Sequence, residues 1–431
     1  MSSPKVNVSK KDLTVLIPVY NEDPELFEKV VSSVRDEGLK FIVVGDGCNS
    51  PYKDIAEKYG GTFVYLKERG GKRRALREGI KYVTSPYVMF LDSDTLLQKG
   101  SVERLLMEFN DDKIAAVSPE VSVFSTRSEY ASYISEMIQR LRDVSYRALS
   151  KFGSIISVNG QCTIYRSDVI KPFLLSEEFN NVKLLGFKTL LGDDRQLTDY
   201  IYKRGYKVRV VSDIRVKTKG PDSLKGLIKQ LLRWYRSNNF FLIKELLDGS
   251  MIKKGFISFL VLLYWYTLPL ISLSDILIKG GLFFRRAYLI IVHKGFNIPL
   301  LSELIKQEIE QDIIPGYTSD PSVSHHHHVL FYIKISHYFW YKFKVFHSFM
   351  ATNQYVILHL HRLLAHLMTF HSYVSIASTV ASVLFLVFVL YNIENRSIKS
   401  MIVSMLAFPL MFVSDILAIL TLWKQMHWGT R

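Results

Sequence analysis

The sequence predicts an α/β domain with a mainly parallel sheet over residues 1–245, followed by an α-helical transmembrane region over 246–431. Three observations predict it. Short β-branched runs alternate with helically spaced apolar segments in the first part, carboxylates close several of those runs, and long apolar stretches dominate the second part.

Composition agrees with two unlike halves. An apolar content of 48% with a mean hydropathy of +0.12 is high for a soluble protein that carries 22% charged residues, whereas a soluble part joined to a membrane part gives this mixture. The net charge of +15, from 55 Lys+Arg against 40 Asp+Glu, admits nucleic acid, anionic lipid or a phosphorylated substrate as partner. No basic tract with interleaved aromatics occurs in the first half, and basic residues flank the long apolar runs. Membrane lipids are therefore expected as partners and nucleic acid is not. Cys48 and Cys162 cannot make a disulfide framework, which fits a reducing compartment. The run Met1–Lys11 lacks the apolar core of a signal peptide, so the first domain is expected to be cytoplasmic.

Taken in order, Leu13–Tyr20 is a β-branched run closed by Asn21-Glu22-Asp23-Pro24, a strand followed by a turn and a helix start. Leu26–Val34 has helical spacing, and Leu39–Val44 is a second strand ending in Gly45-Asp46-Gly47. Thr62–Leu66 is a third strand, leading through Glu68–Arg74 into a helix that runs to about Val83. Tyr87–Leu91 is a fourth, buried strand that delivers Asp92 and Asp94 to the sheet edge. Beyond it lie a helix after Ser101, more sheet over Ile114–Phe124, a helix over Tyr130–Ser150, a strand and turn over Ser154–Tyr165, a helix over Gln196–Arg204, and a helix over Leu224–Phe241. Arg140, Arg142 and Arg147 are expected on a solvated face of the Tyr130–Ser150 helix. In βαβ sheets ligands bind at the carboxyl ends of strands, where Glu22, Asp46 and the Asp92/Asp94 pair fall.

The chemistry follows from residue types at those ends. An Asp-Ser-Asp sequence on extended chain aims both carboxylates one way, which suits a hard divalent cation that also takes phosphate oxygens. Asp46 between glycines is either a turn former or a hydrogen-bonding partner for a nucleotide base or ribose. Gly70-Gly71 before Lys72 and Arg73 is either a plain helix entry or an anion cradle for a diphosphate. Asp193 and Asp194 at a helix start act as caps, and with Arg195 beside them one acid also stays ionised as a general base. Gln230 and Arg233 share a helix face and could reach one diphosphate, while Trp234 offers a platform for a sugar ring or an anchor at the bilayer surface.

In this order the motifs resemble the family-2 inverting glycosyltransferases with a GT-A-type domain, and within them the hyaluronan and chitin synthases. The matching residues are Ile17-Pro-Val-Tyr-Asn-Glu22, Val44-Gly-Asp-Gly47, Gly70-Gly-Lys-Arg73, Asp92-Ser-Asp-Thr95, Gly192-Asp-Asp-Arg195, Gln230-x-x-Arg-Trp234 and Trp428-Gly-Thr-Arg431. The resemblance implies a Rossmann-like mixed sheet and transfer from a UDP-sugar, UDP-GlcNAc or UDP-GlcA, to a growing glycan or a lipid-linked acceptor. It further implies Mg2+ or Mn2+ at Asp94 supported by Asp92, and Asp194 as base with Asp193 beside it. Substrate would be held by Tyr20, Glu22, Asp46, Lys72, Arg73, Asp92, Arg195, Gln230, Arg233 and Trp234. Two departures stand out. Those synthases have a Ser-Gly-Pro-Leu-Gly turn near the acceptor where this chain has Val158-Asn-Gly-Gln-Cys162, and no apolar span precedes Leu13.

Phe256–Ser274, Tyr373–Tyr391 and Met401–Trp423 are each long enough to cross ~30 Å of hydrocarbon at ~1.5 Å per residue. A fourth span at Leu282–Leu301 and a surface helix at Val329–Met350 make the count even, so that both catalytic domain and C-terminus face the cytoplasm. His325–His328 lies in a Pro/Ser-rich loop without acidic partners, which argues against a metal site. Asp275 and Asp415 fall in or beside spans, where a charge is costly.

Overall fold

The computed structural model describes residues 8–124, 127–151, 155–257, 259–261, 384–394 and 396–424. The expected features at Leu282–Leu301, Val329–Met350, His325–His328, Asp275 and Trp428–Arg431, and most of Phe256–Ser274 and Tyr373–Tyr391, lie outside them. By contacts the chain groups into one unit of residues 1–269 with 389–431 and a second of 270–388.

The first unit begins with the four predicted strands and two predicted helices, and adds one short helix, over Tyr52–Lys58, that the sequence does not announce. Strands β1 (Leu13–Val19), β2 (Lys40–Asp46), β3 (Thr62–Leu66) and β4 (Tyr87–Leu91) alternate with helices α1 (Pro24–Asp36), α2 (Tyr52–Lys58) and α3 (Lys72–Gly79). Asp23 caps α1 by accepting from the Leu26 amide, and Pro24 stands at its first turn, where a missing N–H costs nothing. There follow β5 (Thr95–Leu96), α4 (Ser101–Leu106), β6 (Ile114–Phe124), α5 (Glu129–Lys151), β7 (Cys162–Arg166), α6 (Ser167–Leu175) and α7 (Glu177–Asn180). The described chain continues with a small hairpin, β8 (Lys183–Leu184) and β9 (Phe187–Lys188), then α8 (Asp193–Lys203), β10 (Lys207–Lys219), α9 (Leu224–Leu247) and α10 (Ser250–Lys253). It ends in two C-terminal helices, α11 (Ile398–Ser404) and α12 (Ala407–Ile419).

The main sheet has the order β3-β2-β1-β4-β7-β6-β10-β5. Its β3-β2-β1-β4 part is parallel, as the βαβ pattern requires, while β7 runs antiparallel to both β4 and β6, and β5 antiparallel to β10. The sheet is therefore mixed. Helices cover both faces, so the central strands are apolar on both sides. In β1, Leu16 joins a core with Ala75, Leu76, Val88 and Tyr165, while Leu13, Val15 and Ile17 join another with Phe27, Val30 and Val31.

Helix α5 departs from expectation. Arg140 is fully buried, and Arg147 turns toward the sheet. Both reach Glu120 of β6, itself fully buried, and so does Arg215, its register partner on β10. Arg140 also pairs with Asp143 at 2.9 Å and Glu136 at 3.2 Å. Seven residues make nearly two helical turns, so Arg140 and Arg147 share the face that packs on β6. Arg142 is half-buried and lies 3.7 Å from Asp143.

Among the described residues one helical stretch is long and apolar enough to cross a membrane, Ile398–Ile419, with a mean hydropathy of 2.2. It lies on α9, where the Asn239 side chain donates to Asp415 at 2.8 Å and Arg236 donates to Thr421 at 2.9 Å.

Removing one partner of a buried charge cluster leaves the others uncompensated. Glu120→Leu, which strands Arg140, Arg147 and Arg215, is expected to cost about 3–5 kcal/mol, seen as a lowered Tm of the purified protein, with no loss if the cluster is merely decorative.

Candidate active site

The site forms where β1, β2 and β4 end and β7 begins. Asp92 and Asp94 do not lie on extended chain as the alternation argument supposed. They occupy a turn closed by the Thr95 amide donating to the Asp92 carbonyl at 3.1 Å, and the Asp92 amide is itself held by the Gln161 carbonyl at 2.9 Å. The Asp94 carboxylate is buried and accepts from the Thr218 hydroxyl at 3.4 Å, across the β5–β10 pairing.

Lys72, at the first turn of α3, joins the parts. Its ammonium donates to Asp92 Oδ1 at 2.6 Å and to the Gly160 carbonyl at 2.8 Å, and lies 3.8 Å from Asp193 Oδ2. Burial disfavours its charge, but Asp92 and Asp193, with Asp194 beyond them, outweigh that and hold it well above the usual lysine range. Burial pushes the Asp92 carboxyl up, against Lys72. Burial and then the neighbouring Asp193 push Asp194 up, again opposed by Lys72. A carboxylate raised toward neutrality by its surroundings is suited to accept a proton.

Asp193 and Asp194 open α8, where the helix dipole favours negative charge. Gly192 before them has φ 71°, and a Cβ there would lie 2.4 Å from Ser237 Oγ of α9, so the entry is built for glycine. A Cβ on Gly160 would lie 3.4 Å from Asp194 Oδ2. The Asn159–Gln161 turn thus touches Lys72, Asp92 and Asp194 together. In the sequence this turn is visible as a departure, but not as the centre it forms.

Other predicted residues fall as follows. Asp46 is buried and accepts from the Gly70 and Gly71 amides, both at 2.7 Å. The glycine cradle therefore holds an anion, but that anion is the chain's own carboxylate. The Arg69 guanidinium lies 3.9 Å from the centre of the Tyr20 ring, a cation–π contact. Glu22 is buried, its main chain bonded to the Tyr52 hydroxyl, with its carboxylate 3.9 Å from Lys219.

Two arginines expected to hold substrate are committed to the protein instead. Arg73 is buried and donates to the carbonyls of Leu190, Phe179 and Leu191 and to the Gln196 side chain. It fixes the segment leading into Asp193. Arg195 is buried in a two-pronged pair with Glu245, at 2.8 and 2.9 Å, and also donates to the Asn238 carbonyl. It fixes α8 to α9, with Lys254 completing the cluster 2.7 Å from Glu245. Consecutive helical residues point about 100° apart, so with Lys72 and Asp194 at the site, Arg73 and Arg195, next after each, point into the interior.

Gln230, Arg233 and Trp234 are half-buried on α9. Trp234 stands one turn before Ser237 and Asn238, the residues that meet Gly192 and Arg195, which sets it near the entry to the acid pair. Among the described residues no group of three or more His, Cys, Asp or Glu forms a metal cage.

A mixed α/β sheet with acids at its strand ends, a lysine joining them and a second acid pair on a helix start defines the site of a GT-A-like glycosyltransferase. The chain belongs to glycosyltransferase family 2: residues 11–237 match the family described as Glycosyltransferase like family 2. It is 28% identical over 248 residues to an N-acetylglucosaminyltransferase of Rhizobium meliloti (strain 1021), covering 54% of this chain and 58% of that protein. It is also 28% identical over 272 residues to a hyaluronan synthase of Streptococcus pyogenes serotype M3 (strain MGAS315), covering 58% and 62%. The chain thus spans about three fifths of the length of the curated relatives it matches. Among solved structures, the mannosyltransferase PcManGT from Pyrobaculum calidifontis in complex with GDP-Man and Mn2+ aligns at a TM-score of 0.49 and 18% identity, over 73% of this chain and 84% of that one.

Two outcomes follow from these charges. Burial pushes the Glu245 carboxyl up, while Arg195 and Lys254 together outweigh it and hold it at about 2, below its ordinary 4.5. A depressed carboxyl contributes stability that is complete above the ordinary value and is lost as pH falls through 4.5 toward 2. Glu245→Gln is expected to flatten acid unfolding in that window, and an unchanged acid limb would count against the cluster. At the centre, Lys72→Met removes the cation that opposes the rise of Asp194, so the acid limb of the pH–rate profile should move to higher pH.

Proposed function

We propose that this glycosyltransferase is membrane-embedded, with a cytoplasmic catalytic domain, and transfers sugar from a UDP-sugar, UDP-GlcNAc or UDP-GlcA, with inversion to the end of a growing polysaccharide. The observation that carries the reading is Lys72, which spans Asp92 and Asp193 and touches the turn behind Asp194. One cation thereby sets the phosphate end of the cleft next to the proton-accepting end. The names of the relatives, an N-acetylglucosaminyltransferase and a hyaluronan synthase, support the sugar and the polymer. The apolar Ile398–Ile419 helix packed on α9 supports the membrane setting.

In this reading Asp194 takes the proton of the acceptor hydroxyl as that oxygen attacks the anomeric carbon, and the diphosphate leaves on the opposite face. Asp193 keeps Lys72 in place, and Trp234 stacks the terminal sugar. The residues at Asp94 fit Mg2+ or Mn2+: magnesium binds through one or two carboxylates and completes its shell with water and substrate phosphate, so no all-protein cage is needed. Asp94 would hold it with Asp92 in support, and when bound it would neutralise charge on the leaving diphosphate.

The test is to incubate purified protein with radiolabelled UDP-sugars and size the products. The expected outcome is membrane-associated product larger than a disaccharide. A single-sugar lipid that extracts into organic solvent and never lengthens would replace the polymer with transfer to a lipid carrier. Asp194→Asn should lower turnover by about 10²–10⁴-fold with UDP affinity kept. Asp94→Ala should lose metal-dependent UDP binding, and full activity in excess chelator would remove the metal from the account.

A further inference from the structure

The β8–β9 hairpin pairs Lys183 with Lys188 and Leu184 with Phe187, and turns through Leu185 and Gly186. These two have φ of 48° and 86°. Positive φ at both central residues is the type I′ hairpin turn, which favours Asn, Asp or Gly at its first position. A leucine there crowds its Cβ against the backbone and gains nothing from folding, for Leu185 is 77% exposed. Phe187 beside it is 52% exposed, and Lys183 and Lys188 are exposed as well. Neither burial nor turn chemistry accounts for this apolar tip.

The base of the hairpin shows where the tip stands. Val182 is buried with Phe240 and Phe241 of α9, and Leu184 and Leu422 pack against the same cluster. Leu422 lies just past Ile419, the end of the apolar helical stretch, and the Arg236–Thr421 hydrogen bond pins that end to α9. Trp423 and Lys424, next in the chain, are both exposed. Two exposed apolar residues between lysines, and a Trp-Lys pair, therefore gather at one end of a helix of membrane length. Aromatic rings with flanking lysines are the composition of a bilayer interface, and the charges select anionic headgroups.

We propose that the β8–β9 tip, with Trp423 and Lys424, is an interfacial anchor that inserts Leu185 and Phe187 into the headgroup region of an anionic lipid surface. The proposal rests on the membrane setting given above. It has a consequence for the site. Only Thr189–Gly192 separate β9 from Asp193, the Thr189 amide is bonded to the Val182 carbonyl at 3.1 Å, and Arg73 holds the carbonyls of Leu190 and Leu191. Lipid that steadies the hairpin steadies the approach to the acid pair.

The test uses the full chain in nanodiscs of phosphatidylcholine with phosphatidylserine, in a Cys48→Ser background, Cys162 being buried. One fluorophore is placed on Leu185→Cys, on Val413→Cys of α12 or on Glu57→Cys of α2, with a lipid carrying a quencher either near its headgroup or deep in its acyl chain. The expected result is at least about twofold quenching at 185 and none at 57, weaker at 185 in pure phosphatidylcholine or with Lys183→Glu/Lys188→Glu. Quenching at 413 by the acyl-chain quencher with none at 185 by the headgroup quencher overturns the anchor and leaves the membrane setting intact. No quenching at 413 by the acyl-chain quencher overturns the membrane setting and the anchor that rests on it, and equal quenching at 185 in neutral and anionic discs overturns the choice of an anionic surface.

Discussion

The contact on which the site depends is that of the Lys72 ammonium with Asp92, Asp193 and the Gly160 carbonyl. Asp92, Asp94, Asp193 and Asp194 come from two segments about a hundred residues apart, and each would rather be in water than beside the others. Two like charges about 4 Å apart repel by about 4 kcal/mol in partly solvated protein, so their assembly needs a cation between them. Lys72 supplies it from α3, whose start is fixed in turn by Asp46 gripping the two glycine amides before it. The same ammonium limits how far the raised Asp92 and Asp194 carboxyls rise.

Around this centre lies a layer of charges that touch no cleft. Arg73 ties α3 to the chain entering α8, Arg195 ties α8 to α9 through Glu245, and Glu120 gathers three arginines beneath α5. Such clusters stabilise less than apolar packing of equal volume would, but they tolerate few alternatives, because any other register leaves a buried charge unpaired. That is a fitting construction where acids from distant segments must meet within hydrogen-bonding distance.

Much of this was legible. Strands β1 to β4 and β6 announce themselves by β-branched runs, and Asp46, Asp92 and Asp193 fall where strand ends and helix starts put them. What the sequence conceals is the direction of a charge on a helix. Arg140 and Arg147 have the spacing of a solvated face, and only Glu120, on a strand that reads as pure core, turns that face inward. For the same reason Arg73 and Arg195 read as ligand-binding residues from their company. Strand β10 is hard to read in the sequence although Lys207–Lys219 alternates apolar with polar residues, because charges at so many positions mask the period. The turn at Asn159–Gln161 is visible in the sequence but its importance is not, since that comes from Lys72, Asp92 and Asp194, which converge on it from elsewhere in the chain.

Helix α9 joins the two halves of the protein's character. Its last turn binds Arg195, its middle receives Gly192, and the same middle offers Asn239 to Asp415 and Arg236 to Thr421 on the apolar stretch. A lone buried carboxyl is expensive, so the Asn239–Asp415 bond fixes both the rotation and the height of α12 against α9 more firmly than apolar packing alone. Because Gln230, Arg233 and Trp234 ride on the same rigid helix, their distance from Asp194 is set by contacts made on both sides of it. The residues proposed to hold the acceptor are thereby tied to the apolar helix by side chains of one element.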